Sequence, residues 1–213
     1  MALTLAQRLF HDDRVLAVYE RFRESPLAWP MVGRRLAAEV ADALAAVDAS
    51  PPGDVLDVAC GQATFCVAIA RGRPGRPVTG LDLSPSQLVR ARRKAAVAGA
   101  RVRFTLASAT CMPFGDAVFS AVVSFTGLHQ IPDHDAVVGE IARVLRPDGR
   151  FFGATFARPR GPGRLRDRLQ KAVGLRPIDA SEWEGLLAEA GLVDFRYVQR
   201  TPVWGVFTAT RRT

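Results

Sequence analysis

Lysine is almost missing from this chain: Lys94 and Lys171 are the only two among 29 basic residues, and arginine supplies the rest. Cysteine is scarce as well. Cys60, Cys66 and Cys111 cannot form a fully paired framework, and none stands in Cys-x-x-Cys spacing, so reduced thiols in a cytoplasmic compartment are expected. The three histidines, His11, His129 and His134, are too scattered to add a ligand set, and no metal is expected. No apolar run reaches membrane-spanning length. Met1 to Asp13 has no basic stretch followed by an apolar core, so a signal peptide is not expected either. Internal repeats are absent, and the one biased tract is the Arg-, Gly- and Pro-rich stretch at 157–164. What remains is ordinary: 213 residues, 48% hydrophobic and 23% charged. That suits one soluble, cytoplasmic α/β domain with a small appendage and enough chain to bury its own core.

The net charge of +8 invites a nucleic-acid reading. Arginine in place of lysine together with abundant alanine is more simply the mark of a GC-rich coding sequence, so a nucleic-acid partner is not favoured. The charge does cluster between Arg158 and Arg176, where Arg160, Arg164, Arg166, Arg168 and Lys171 face the single acid Asp167. Such a run is either a solvated face or a platform for an anionic acceptor, a carrier-bound intermediate or a lipid headgroup.

Residues 1–50 have helical patterning. Leu36, Val40, Leu44 and Val47 recur at three- and four-residue steps, and an earlier helix is expected from about Leu5 to Phe22, before Pro26. Ser50-Pro51-Pro52-Gly53 ends this N-terminal helical cap, and residues 51–213 change character. Strands are expected at Val55–Val58, Val78–Leu81, Val102–Leu106, Val118–Ser124, Arg150–Phe156, Phe195–Gln199 and Val203–Ala209. Helices are expected at Thr64–Ala70, Pro85–Ala98, His134–Leu145 and Ser181–Ala190. Alternating strands and helices imply right-handed βαβ units with helices on both faces of a parallel sheet. Arg200-Thr201-Pro202 is too short for a crossover, so the last two strands make an antiparallel hairpin.

The informative stretch is Asp54-Val-Leu-Asp-Val-Ala-Cys-Gly-Gln-Ala-Thr64, an apolar strand ending in a small-residue turn that opens a helix. Backbone can approach a ligand closely there, and free N–H groups at the helix start face it. Asp82 ends the next strand, 21 residues after Gly61, where a carboxylate can accept both hydroxyls of a ribose. Together they point to an adenosine-containing ligand at the carboxyl ends of the first two strands.

Four blocks in order resemble the class I S-adenosylmethionine-dependent methyltransferases, in particular the group called type 11. They are Val55-Leu-Asp-Val-Ala-Cys-Gly61, Gly80-Leu-Asp-Leu-Ser-Pro85, Met112-Pro-Phe-Gly-Asp116 with Phe119, and Ile141-Ala-Arg-Val-Leu-Arg-Pro-Asp-Gly149. The resemblance runs from Val55 to about Phe156 and more loosely through Phe207. It implies a Rossmann-like seven-stranded sheet of order 3-2-1-4-5-7-6 and S-adenosyl-L-methionine as cofactor. Asp57, Ala59 and Gly61 would line the methionine moiety, and Asp82 would bind the ribose. Leu83 and Gln87 would lie beside the adenosine, Ser108 and Ala109 would edge the adenine, and Ser124 with Phe125 would close the site.

Three positions depart from the family pattern: Ala63 stands where glycine is usual, Ser108 where an acid is frequent, and Ser120 replaces the acid entering the fourth strand. If residue 63 needs positive φ, alanine there costs about 1 kcal/mol.

Methyl transfer from a sulfonium needs chiefly an aligned acceptor and excluded water, with a base where the acceptor must lose a proton. His129, in Phe125-Thr-Gly-Leu-His-Gln130, is the candidate base, set against a role in shaping its loop. His134, between Asp133 and Asp135, is expected to be a solvated helix cap. Tyr19, Phe22 and Trp29 are candidates for an apolar lid over the acceptor, with Arg158 as a further substrate contact, while Trp183 and Trp204 are expected in the core. Ser124-Phe-Thr-Gly127 lacks the paired acceptors suited to an exocyclic amine, so nucleobase N-methylation is disfavoured.

The expected function is methylation of an oxygen or carbon of a small organic acceptor, a secondary metabolite or lipid- or quinone-like compound. Two other readings stand beside it. One is a methyltransferase-fold enzyme that has lost methylation and catalyses a cyclisation or rearrangement; the other is an RNA- or anionic-surface-binding module.

Overall fold

A computed structural model describes residues 36–125, 127–156, 179–201 and 204–213, together with Val18. Apart from Val18, the expected helix at 5–22 lies outside the described residues, as do the lid candidates Tyr19, Phe22 and Trp29, Arg158 and the basic run to Arg176.

Seven strands form one sheet: β1 (Val55–Val58), β2 (Val78–Asp82), β3 (Val102–Leu106), β4 (Phe119–Phe125), β5 (Leu145–Phe156), β6 (Leu192–Thr201) and β7 (Trp204–Arg211). Their order is β3-β2-β1-β4-β5-β7-β6, as the resemblance implies. The first five run parallel, and β7 lies antiparallel between β5 and β6. The tight connection at Thr201, which pairs with Trp204, closes the expected hairpin.

Buried on both faces, all four residues of β1 are apolar but one, Asp57. Their side chains alternate between two cores. Leu56 and Val58 join Phe151, Phe207 and Trp183 on the face covered by α4 (His134–Val144) and α5 (Ala180–Glu189). Val55 joins Phe125, Phe152 and Trp204 on the face covered by α1 (Leu36–Asp48), α2 (Thr64–Gly72) and α3 (Pro85–Val97). Ala43 and Val47 of α1 are part of this second core, so residues 36–48 of the N-terminal segment belong to a layer of the sheet sandwich. Trp183 and Trp204 are almost fully buried, as expected.

Helix starts are chemically marked. Ser84 caps α3, with Pro85 opening its first turn, and Asp133 caps α4 through the Ala136 N–H. Asp179 and Glu182 make a reciprocal capping box on α5. Two of the sequence blocks are tied together by Arg143, which donates to Glu140, to the Phe114 carbonyl and to Asp116. Ser120 stands at the amino end of β4, where it donates to the Asp54 carbonyl and receives Arg76, so its exchange for an acid lies at the far end of the strand from the β1–α2 turn.

His134 corrects the expectation of a solvated cap. Its side chain is fully buried, Nε2 lies 3.1 Å from the Leu128 carbonyl, and its ring packs against Trp183. The capping falls to Asp133, while the next residue turns inward to the core.

Candidate active site

The parallel strands bring Val58, Asp82, Leu106 and Phe125 to one edge of the sheet, and the turn after β1 rises from it. Ala59, Gly61 and Ala63 all have positive φ, at 57°, 54° and 65°. Ala63 takes a left-handed conformation as the N-cap of α2 and offers no side-chain cap. Alternate left-handed residues fold the turn back on itself, and two of the three are alanines that carry about 1 kcal/mol each of backbone strain. The conditional cost at Ala63 is therefore present, and Ala59 doubles it.

Cross-connections hold this strained turn. The Cys60 N–H donates to the Leu81 carbonyl at 3.0 Å, extending the β1–β2 ladder by a step. Asp82 accepts from the Gly61 N–H at 2.8 Å through Oδ2 and from the Ser84 N–H at 2.9 Å through Oδ1. One carboxylate thus fastens the turn of its neighbouring strand and the entry to α3. Gly80 leaves room beneath: a Cβ there would fall 2.8 Å from Cys60 Sγ and 2.9 Å from Cys66 Sγ.

Asp57 lies under the turn, almost fully buried. Burial raises its carboxyl to about 7, the Cys66 hydrogen bond opposes that rise, and the Asp82 charge adds to it. The Cys66 thiol, itself held well above its ordinary value by burial, stays protonated and donates to Asp57 Oδ2 at 3.1 Å. The other oxygen, Oδ1, is buried with no hydrogen-bond partner among the described residues, and so is Gln87 Oε1 in the first turn of α3. Buried acceptors normally find a donor, and these two flank the same turn. Gln87 Oε1 is the atom a Cβ on Gly61 would meet, at 3.9 Å. A ligand with cationic and hydroxyl donors fits this arrangement of acceptors.

The structure brings Asp57, Ala59, Gly61, Asp82 and Gln87 into one neighbourhood. Leu83 follows Asp82 and is exposed. Ala107 N donates to the Asp82 carbonyl, carrying the chain from β3 to Ser108 and Ala109 on the same edge. The Ser108 hydroxyl bonds Thr110 Oγ1 at 2.8 Å, and Ala109 is buried. Ser124 and Phe125 sit deeper: the Ser124 hydroxyl donates to the Val58 carbonyl at 2.9 Å, and Phe125 stacks on Phe65 with ring centres 3.9 Å apart.

His129 follows in a short 3₁₀ turn (Leu128–Gln130) after β4. Its ring is buried, with Nδ1 3.3 Å from Thr155 Oγ1 on β5. Burial, with a smaller contribution from nearby His134, lowers the imidazole to about 3, so it is uncharged at neutral pH. Cys66, Gly127 and Thr155 were missed in the sequence reading. Cys66 stands on the inward face of the helix opened by the recognised turn, and Thr155 is the last residue but one of β5, the strand beside β4; both positions follow once the strand order is known.

The fold and this turn define a class, and comparison with known proteins agrees. Residues 55–149 match the methyltransferase domain family. A demethylmenaquinone methyltransferase of Thermus thermophilus is 38% identical over 108 residues, covering 51% of this chain and 49% of that protein. A fatty-acid O-methyltransferase of Mycolicibacterium smegmatis is 32% identical over 190 residues, covering 87% of this chain and 62% of that protein. Among solved structures, the [4+2]-cyclase SpnF overlays with a TM-score of 0.77 at 21% identity, covering 100% of this chain and 98% of that one. Over residues 55–149 the chain is similar to the methyltransferase domain family, and its strand order is the one expected for the class I S-adenosylmethionine-dependent methyltransferases. It spans about half to just under two thirds of the length of these curated relatives. Among the described residues no helix is long and apolar enough to cross a membrane, and no group of three or more His, Cys, Asp or Glu is placed to hold a metal ion.

Proposed function

We propose that this chain transfers a methyl group from S-adenosylmethionine to an oxygen or carbon of a small, lipid- or quinone-like organic acceptor. The observation that carries the reading is the joint hold on one turn: Asp82 grips the Gly61 N–H, while Asp57 Oδ1 and Gln87 Oε1 stand beside it with no donor among the described residues. The acceptor class is drawn from relatives named for demethylmenaquinone and for fatty acids.

When bound, the cofactor supplies an electrophilic methyl carbon on a sulfonium. Asp57 and the turn from Ala59 to Gly61 hold its methionine end, with the ionised form of Asp57 favoured by a cation beside it. Asp82 takes the ribose hydroxyls, and Leu83, Gln87, Ser108 and Ala109 bound the adenosine. Ser124 and Phe125 support the floor from below. His129 would accept a proton from an acceptor hydroxyl or acidic carbon; its imidazole is uncharged at neutral pH, and because burial disfavours the imidazolium, the bound acceptor would have to stabilise that charge. In this reading Tyr19, Phe22 and Trp29, together with Arg158, would bound the acceptor and help to keep water out.

The test is calorimetry of the full chain with S-adenosylmethionine and its demethylated product, followed by mass spectrometry of quinol and fatty-acid acceptors for the gain of one methyl. Absence of binding at millimolar cofactor would overturn the reading. A second reading, a cyclisation or rearrangement on the same fold, is supported by the full-length overlay with SpnF. Cofactor binding with an isomerised, unmethylated product would select it.

A further inference from the structure

Thr155 has a place in the sheet that few side chains share. It lies on β5, an interior strand paired on one side with β4 and on the other with β7, where Thr155 is opposite Gly205. Pairing with Gly205 fixes its backbone on the β7 side, one residue past the last β4–β5 pair, and its β-branched side chain has few rotamers to choose from. Alternation along β5 sets its direction: Phe151 belongs to the core under α4 and α5, Phe152 and Ala154 to the opposite core, so Thr155 falls on the Phe151 face. That face carries the 3₁₀ turn, with Leu128 buried in the same core and His129 beside it. There the Thr155 hydroxyl meets His129 Nδ1 at 3.3 Å, in a site where both residues are almost fully buried.

We propose that Thr155 is the positioning residue for His129: its rigid hydroxyl accepts the Nδ1 proton and thereby leaves Nε2 as the nitrogen that takes the acceptor's proton. This rests on the reading of His129 as the proton acceptor. A neutral imidazole carries one proton on either nitrogen, and its partner decides which. With Nδ1–H donating to Thr155, the lone pair is on Nε2. As the acceptor's O–H or C–H bond breaks, its electron pair stays on the acceptor atom and the proton forms the Nε2–H bond. The imidazolium so formed keeps its Nδ1–H bond to Thr155, now charge-assisted and stronger.

The groups around the ring make that help count. His134, from the start of α4, is the titratable group packed nearest and disfavours a charge on His129; Trp183 and Phe207 on the same face are aromatic and offer no carboxylate. Thr155 Oγ1 lies within reach of the ring, and the Tyr197 side chain comes to the same face beside Gly205, the residue opposite Thr155. A 3.3 Å contact is long for a working hydrogen bond, and such contacts shorten once the substrate complex forms.

The experiment is nitrogen NMR on the full chain with ¹⁵N-labelled histidine, His129 being assigned from the signals lost in His129→Gln. The expected result is an Nδ1–H tautomer for His129 in the wild type. Thr155→Val, isosteric but without the hydroxyl, should shift it towards the Nε2–H form, and Thr155→Ser should restore it. An Nε2–H tautomer in the wild type, or an unmoved tautomer in folded Thr155→Val, overturns the proposal; the wild-type spectrum decides even if the valine variant fails to fold. In turnover, Thr155→Val should lower kcat roughly tenfold with KM unchanged, and Thr155→Ser should recover most of it. Full activity in Thr155→Val overturns the role of Thr155 alone. Full activity in His129→Gln overturns the reading of His129 and this proposal with it.

Discussion

Gly127 lies against Ala59: a methyl group on Gly127 would fall 2.4 Å from the Ala59 Cβ. The chain leaving β4 therefore touches the turn leaving β1, and the stretch that carries His129 is packed onto the stretch proposed to hold the cofactor. The next nearest atoms to that added methyl, the Ala59 carbonyl and Ser124 Oγ, are 3.4 Å away, which is ordinary contact. The steric conflict is thus one methyl against another.

A compensating pair follows. Gly127→Ala is expected to destabilise the protein by about 1–3 kcal/mol through overpacking and to weaken cofactor binding. Ala59→Gly removes the opposing methyl and also relaxes a positive φ. The double variant should recover most of the loss, a coupling readable by urea denaturation of all four forms. An unaffected Gly127→Ala protein would show that the two turns are not in contact.

Asp82 has two tasks that substitution can separate. Its oxygens hold the Gly61 and Ser84 N–H groups, and in the proposed complex they also meet the ribose. Asp82→Ala strips acceptors from both N–H groups, each worth about 1–3 kcal/mol where buried, and should lower the melting temperature as well as affinity. Asp82→Asn keeps one acceptor oxygen and should spare more of the stability while weakening the cofactor at least tenfold, about 1.4 kcal/mol by calorimetry. Unchanged affinity in a folded Asp82→Asn protein would remove the ribose assignment.

These relationships mark how far the sequence could be read. β1 and β3 fall at the expected bounds: β1 is apolar but for Asp57, and β3 alternates Val102, Phe104 and Leu106 with Arg103 and Thr105. β4 starts and ends one residue later than expected, and β6 begins at Leu192, since a strand's end is set by its neighbour's register and not by its own composition. The turn residues and Asp82 were legible because a ligand-facing turn needs small residues in a row and an acid at a fixed distance. The Cys66–Asp57 bond and the Thr155–His129 contact were not: each joins side chains that only the packing of helix on sheet, or of turn on strand, brings within reach. His134 was misread for the same reason. Between two aspartates it looks polar, and only the helix axis shows that its own direction is inward.

Asp57 and His129 should titrate against one another in the stability of the ligand-free protein. Burial raises Asp57 from 3.8 to about 7, so between those values the folded state holds a proton that the unfolded state has lost, and stability falls as pH rises. Burial lowers His129 from 6.5 to about 3, so across that range the unfolded state holds the extra proton, and stability rises with pH. Between about pH 4.5 and 6 the two proton counts offset, and the wild type should change little in unfolding free energy on their account. Asp57→Asn removes one side of the balance, and its stability should climb with pH by up to about 1.4 kcal/mol per unit. His129→Gln removes the other, and its stability should fall with pH by a similar slope. Urea denaturation of the three proteins at pH 4.5, 5.25 and 6 reads both slopes. Parallel curves for the two variants would mean that these side chains do not titrate as their burial demands. A bound cation beside Asp57 favours its ionised form, so cofactor affinity should also rise as pH passes through about 7, and that rise should vanish in Asp57→Asn.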